Sequence, residues 1–253
     1  MLRKRMAPAL LAFGLALAAA TSLPTARAAE QPPIDPEAAR ILKAALERIG
    51  GAKSFTFQAE VTKDVLLPSG QKIQFPGKIE VAVRRPNGFW NLIEGEQRIA
   101  RSWYDGKTFT LLNSGKNVYA SWPAPEKLDD LFVAMKEKLG FTPPLAPLLR
   151  ENPAAMAMAK ITSGVIVGRG GIGATACWHL AFRGAKTDWQ FWVAEHGEPI
   201  IKRIIISYKL EPDVPQYAAT FLSWDFAPRL SDAVFSFTPP QGAVQCEFEP
   251  VKR

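Results

Sequence analysis

Two cysteines and two histidines are the strongest nucleophiles and soft metal ligands in this chain of 253 residues. Cys177 and His179 lie two apart in an alternating segment, so both would face one side of a strand, and a thiol beside an imidazole is conceivable. A cysteine nucleophile also wants a third group to orient the base, and nothing near in sequence supplies one. Adding His196 and Cys246 would complete four metal ligands, but the spacings match no familiar zinc pattern. Gly168-Arg169-Gly170-Gly171-Ile172-Gly173 has the form G-x-G-x-x-G. The dinucleotide fingerprint needs a helix next, whereas Ala174 to Arg183 reads as a strand, so a glycine-rich hairpin is expected. No G-x-S-x-G elbow, P-loop or H-E-x-x-H occurs, and Asp129-Asp130 would diverge around a helix into solvent. The expectation is therefore no catalytic site, no metal and no cofactor. The unusual resource is aromatic: seven Trp and 15 Phe, enough to line a large core or the edges of a binding cavity.

The elements that would carry these residues begin after a leader. Arg3, Lys4 and Arg5 precede an uncharged apolar run from Ala7 to Ala20, and Ala26-Arg27-Ala28 follows. This is the pattern of a secretory signal over residues 1–28, and the run falls short of the roughly 20 residues that span a bilayer. Cleavage after Ala28 would remove four basic residues and no acid, taking the formal charge from +7 to +3. The remaining Lys and Arg are scattered among acids, which argues against nucleic acid as a partner.

Asp35 can cap a helix with Pro36 in its first turn, and Ile41, Leu42, Ala45, Leu46 and Ile49 recur at helical spacing before Gly50-Gly51. From Ser54 the period becomes two: Phe55, Phe57, Ala59 and Val61 alternate with polar residues, then Pro68-Ser69-Gly70 turns the chain. Further strands are expected around Ile79 to Val83, Phe89 to Ile93, Arg98 to Tyr104, Thr108 to Leu112 and Val118 to Trp122, with Asp105-Gly106 and Asn113-Ser114-Gly115 as hairpin turns. A proline-divided helical stretch interrupts from Pro123 to Lys160, its first stripe being Leu128, Leu131, Phe132, Met135 and Leu139. Strands resume at Ile161 and run through Cys177 to Arg183, Thr187 to Val193, Ile200 to Tyr208 and Gln216 to Phe226. With no strand and helix in alternation the sheet should be antiparallel. Later strands are apolar on both faces, as at Trp192 and Ile205, so both faces should be covered. The expected architecture is mainly β: one strongly curved sheet over residues 29–253, a single domain whose concave face helices plug.

Three segments resemble the LolA-like periplasmic lipoprotein carriers: Glu80 to Trp90 around Arg85-Pro86-Asn87, Tyr104-Asp105-Gly106-Lys107-Thr108-Phe109 followed by Asn117-Val118-Tyr119, and Phe235-Ser236-Phe237-Thr238-Pro239-Pro240-Gln241-Gly242. The mature chain is closer still to an uncharacterised family of predicted bacterial periplasmic proteins in that superfamily, through Asp35-Pro36-Glu37-Ala38, Ser69 to Phe75, His179 to Arg183 with Asp188-Trp189-Gln190, and Pro215-Gln216-Tyr217. The resemblance implies an unclosed antiparallel barrel of about eleven strands with a helical lid over an apolar concavity. It also implies that Arg85 bonds lid carbonyls as a latch. Phe57, Val81, Val83, Phe89, Trp178, Trp189 and Phe191 from the sheet, with Phe132 and Met135 from the lid, are then expected to line the cavity.

The function this implies is a periplasmic, non-catalytic carrier for an acyl chain, a lipid or a lipidated protein, handing cargo to an acceptor in the envelope. The alternatives are an envelope sensor that binds a lipidated or misfolded protein and signals to a partner, and an enzyme built around Cys177 and His179. In an oxidising compartment Cys177 and Cys246 would pair if their Cα atoms came within about 7 Å, although several strands intervene.

Overall fold

The computed structural model describes residues 33–248, so the expected signal segment lies outside the described residues. Helix α1 (Pro36–Gly50) forms where the cap predicts: Asp35 Oδ1 accepts from the amides of Glu37 at 2.8 Å and Ala38 at 3.4 Å. Its buried stripe is Ala38, Ile41, Leu42, Ala45, Leu46 and Ile49. A meander follows: β1 (Ser54–Leu66), β2 (Lys72–Arg84), β3 (Gly88–Gly95), β4 (Arg98–Tyr104), β5 (Thr108–Asn113) and β6 (Val118–Pro123). The expected proline-divided stretch is three helices, α2 (Leu128–Leu139), α3 (Ala146–Leu149) and α4 (Pro153–Met158), with Pro147 and Pro153 in first turns, where proline is tolerated. The second meander is β7 (Ile161–Ile172), β8 (Thr175–Gly184), β9 (Thr187–Ala194), β10 (Ile201–Tyr208) and β11 (Gln216–Asp225).

All strands, with a short β12 (Val244–Gln245) near the end of the described residues, join one unclosed, curved sheet in the order β12-β6-β5-β4-β3-β2-β1-β11-β10-β9-β8-β7. The sheet has twelve strands where about eleven were expected. The additional one, β12, lies beyond the closing Pro239-Pro240 segment and pairs parallel to β6, whereas the other named strands pair antiparallel. Two residues paired at an edge leave no periodic trace in a sequence.

This order dictates where the helices go. The chain leaves the first meander at β6, beside one edge of the sheet, and re-enters at β7, the other edge. The connection between them carries α2, α3 and α4 into the concavity, where their apolar residues join those of α1 and the strands in one core. The glycine-rich motif is a hairpin, with Gly173 at φ 57° between β7 and β8.

The opposite face is covered unequally. Over the first meander, Phe237 packs on Trp103 and Tyr119 with ring centroids 5.0 and 4.9 Å apart, and Phe235 is buried against Gly88. Over β8–β10 the expected cover is made by the strands' own side chains: the His179 ring stacks on Trp192 at 4.1 Å, and the Arg203 guanidinium lies 5.6 Å from the same indole.

Candidate functional site

Alternation along paired strands builds the concave face in rows. Phe55, Val83, Phe89, Tyr104, Phe109 and Trp122 stand in one register across β1 to β6, all buried. Phe57, Val81, Asn91 and Ser102 stand in the next row. In the second meander Val193, Phe191 and Trp189 face Trp178, Leu180 and Phe182 in register. Seven of the nine expected lining residues, Phe57, Val81, Val83, Phe89, Phe132, Met135 and Phe191, are buried in one cluster; Trp178 and Trp189 are half-buried against it. The face is filled by helices: Phe132 of α2 meets Phe89 edge-on at 5.9 Å, and α1 packs against β7, β9, α3 and α4.

Arg85 sits where β2 ends, and its bond to Pro86 is cis. Its side chain reaches back under the helices. Nη1 donates to the carbonyls of Ala52 at 2.6 Å and Ile49 at 3.3 Å, and Nη2 to those of Arg150 at 2.6 Å and Leu149 at 3.3 Å. These carbonyls belong to the C-terminal ends of α1 and α3, where helix geometry leaves acceptors unpaired and the dipole favours a cation. The planar fork suits the task because two nitrogens each serve two acceptors. Burial lowers the guanidinium's pKa, opposed by the carboxylates of Asp129 and Glu151. Asp129, expected in solvent, accepts from the Glu151 amide at 3.0 Å and so joins α2 to the α3–α4 turn. The Pro86 carbonyl accepts from the Leu128 amide at 2.8 Å, placing the start of α2 beside the same residue. A gap of about 10 Å³, the size of one water, remains beside Arg85.

Polar groups on the concave face are few. Tyr104 donates its hydroxyl to the Pro125 carbonyl. Asn91 Oδ1 and Trp122 Nε1 are buried without a hydrogen-bond partner among the described residues. The Trp122 ring packs on Phe109 at 5.7 Å, and Lys138 Nζ lies 4.9 Å from its centroid.

Cys177 and His179 are each engaged with a different partner. The Cys177 thiol is fully buried, donates to the Thr175 carbonyl at 3.4 Å, and is pushed up in pKa by burial. His179 Nε2 engages Gln190 Oε1 at 3.0 Å. The conditional Cys177–Cys246 disulfide does not form: both are free, because β8 lies near one edge of the sheet and Cys246 follows β12 at the other, with the strands between them. A depression of about 330 Å³ is lined by Thr175, His196, Glu198, Lys202, Leu222 and Trp224, whose ring packs on Phe57 at 4.8 Å.

Solved structures with a similar fold include the lipoprotein LppX of Mycobacterium tuberculosis (13% identity, 78% of this chain and 100% of that one, TM-score 0.47). LprF of Mycobacterium bovis is similar at 14% identity over 85% and 100% of the two chains, with a TM-score of 0.45. A LolA superfamily protein of Nitrosomonas europaea is similar at 13% identity over 79% and 97%, with a TM-score of 0.39. Among curated proteins none matches the sequence. The model of one family, described as predicted periplasmic protein (DUF2092), matches residues 38–249, and the chain belongs to that family.

Proposed function

We propose that the protein is an exported carrier, cleaved after Ala28, that holds an acyl chain, a lipid or a lipidated protein against the concave face of its sheet and passes it to an acceptor in the envelope. The observation that carries this reading is Arg85. One guanidinium holds the ends of two covering helices through four carbonyls, and those helices close over a face lined almost wholly by aromatic and aliphatic side chains. A core that needed only stability would be fixed more simply by apolar packing than by a partly desolvated charge.

Cargo is held by apolar burial, about 25 cal/mol per Å² removed from water, with no bond made or broken. Binding requires the cover to move, and the closed state competes with the ligand for the same side chains, which makes release possible. The test is titration of delipidated protein with an environment-sensitive fluorescent fatty-acid analogue. Saturable binding that unlabelled acyl lipid displaces is expected. Failure of every acyl probe on folded, delipidated protein would overturn the carrier reading.

A further inference from the structure

Trp122 is 7% exposed, and its indole Nε1 has no hydrogen-bond partner among the described residues. A buried donor left unpaired is costly, and Phe would fill the same aromatic row without one. The neighbouring polar hydrogen of that row, on Tyr104, is spent on Pro125. Directly over the indole lies the Lys138 ammonium, from the last turn of α2; Lys138 is exposed and forms no ion pair among the described residues. Lys136 adds a second cation to that turn, against Glu137 on the same helix. Trp122 stands on β6, next to the edge of the sheet, where Phe248 packs beside Phe109 at 6.5 Å and the exposed Lys138 reaches over the indole, so this point is a rim of the aromatic face.

We propose that this rim, between the last turn of α2 and β6, binds the anionic head of the cargo, with Trp122 Nε1 donating to it and Lys138 neutralising it. The inference rests on the carrier reading and names its ligand class: an acyl chain ending in a carboxylate or a phosphate. The chain then runs along Phe109, Tyr104 and Phe89 beneath Phe132 and Met135, and the head stays at the mouth. In the empty state Lys138 rests on the indole; with cargo it swings to the anion.

Dodecanoate, dodecyl phosphate and dodecanol, which share one chain length and differ only in the head, are titrated against the full delipidated chain, with Trp122→Phe and Lys138→Met beside it. The unaltered protein should prefer at least one of the two anions over dodecanol by about tenfold or more, the range of a hydrogen bond to a charged group. Trp122→Phe should lose most of that preference while dodecanol affinity stays within about twofold, which also shows that the variant is folded. Lys138→Met should lose part of it, and added salt should weaken only the anions. Preference for one anion identifies a carboxylate or phosphate source. Equal affinity for all three ligands, or a preference untouched by Trp122→Phe and Lys138→Met, overturns the head site and leaves the carrier standing. Binding of none of them overturns the carrier reading and this inference with it.

Discussion

Helices α1 and α2 both cover the concave face, yet they are held in different ways. Six buried residues of α1 pack on strands and on two other helices, its N-terminus is capped by Asp35, and its C-terminal carbonyls are taken by Arg85. Helix α2 buries four residues, and Lys127 at its N-cap gives the helix no side-chain capping hydrogen bond. It is fastened at separate points: the Leu128 amide to Pro86, Asp129 to the Glu151 amide, Phe132 on Phe89, and Lys138 on Trp122. On the carrier reading α1 is the fixed part of the cover and α2 the removable part, with Arg85 clasping α1 to α3 and the adjacent Pro86 carbonyl holding the start of α2. Regions that open locally are those with few buried contacts and unsecured ends.

The largest effect should separate the two parts by stability. Leu42→Ala in α1 leaves a cavity in the fixed part and should cost about 2–5 kcal/mol in urea unfolding. Phe132→Ala removes a larger buried side chain from α2, but its global cost should be smaller than that of Leu42→Ala. Once α2 opens more easily than the rest unfolds, the loss is capped by the free energy that closes it. Equal or greater global loss at Phe132 would make α2 part of the same cooperative core.

Next comes the joint. Arg85→Leu removes one donor from each of four carbonyls, and hydrogen bonds to a charged group contribute about 1.5–3 kcal/mol each. Opening should rise tenfold or more, seen as faster hydrogen exchange across 125–160 and slower cargo release, because closure no longer competes. Arg85→Lys should restore only part, since one ammonium cannot reproduce the fork. Unchanged exchange in Arg85→Leu would reduce Arg85 to a turn residue.

The smallest effects concern the two N-termini. Lys127→Ser supplies the cap that α2 lacks, worth about 1 kcal/mol, and should slow α2 exchange about fivefold. Asp35→Ala should cost about the same in global stability, measured in urea, and leave α2 exchange alone.

Much of this frame was legible because its signals are local. Asp35-Pro36 announced α1, alternation announced the strands, and Asp105-Gly106 announced a turn in which Asp105 Oδ1 accepts from the Lys107 and Thr108 amides while Gly106 takes φ 86°. No spacing pointed to Arg85 as a helix clasp; that expectation came only from resemblance, since its acceptors lie 33 to 65 residues away in sequence. Three features gave no signal. Phe237 covering Trp103, Asp129 reaching Glu151, and Lys138 over Trp122 each depend on how separate elements meet. The rim in particular needs the sheet order, which puts α2 above β6.

Hydrogen exchange on the unaltered protein, with and without saturating fatty-acid analogue, tests the removable cover most directly. The empty protein should exchange residues 128–139 through an opening that leaves 41–49 protected, and the ligand should raise exchange in 128–139 while 41–49 stays slow. Equal protection of both segments, unchanged by bound ligand, would contradict a cover that opens at α2.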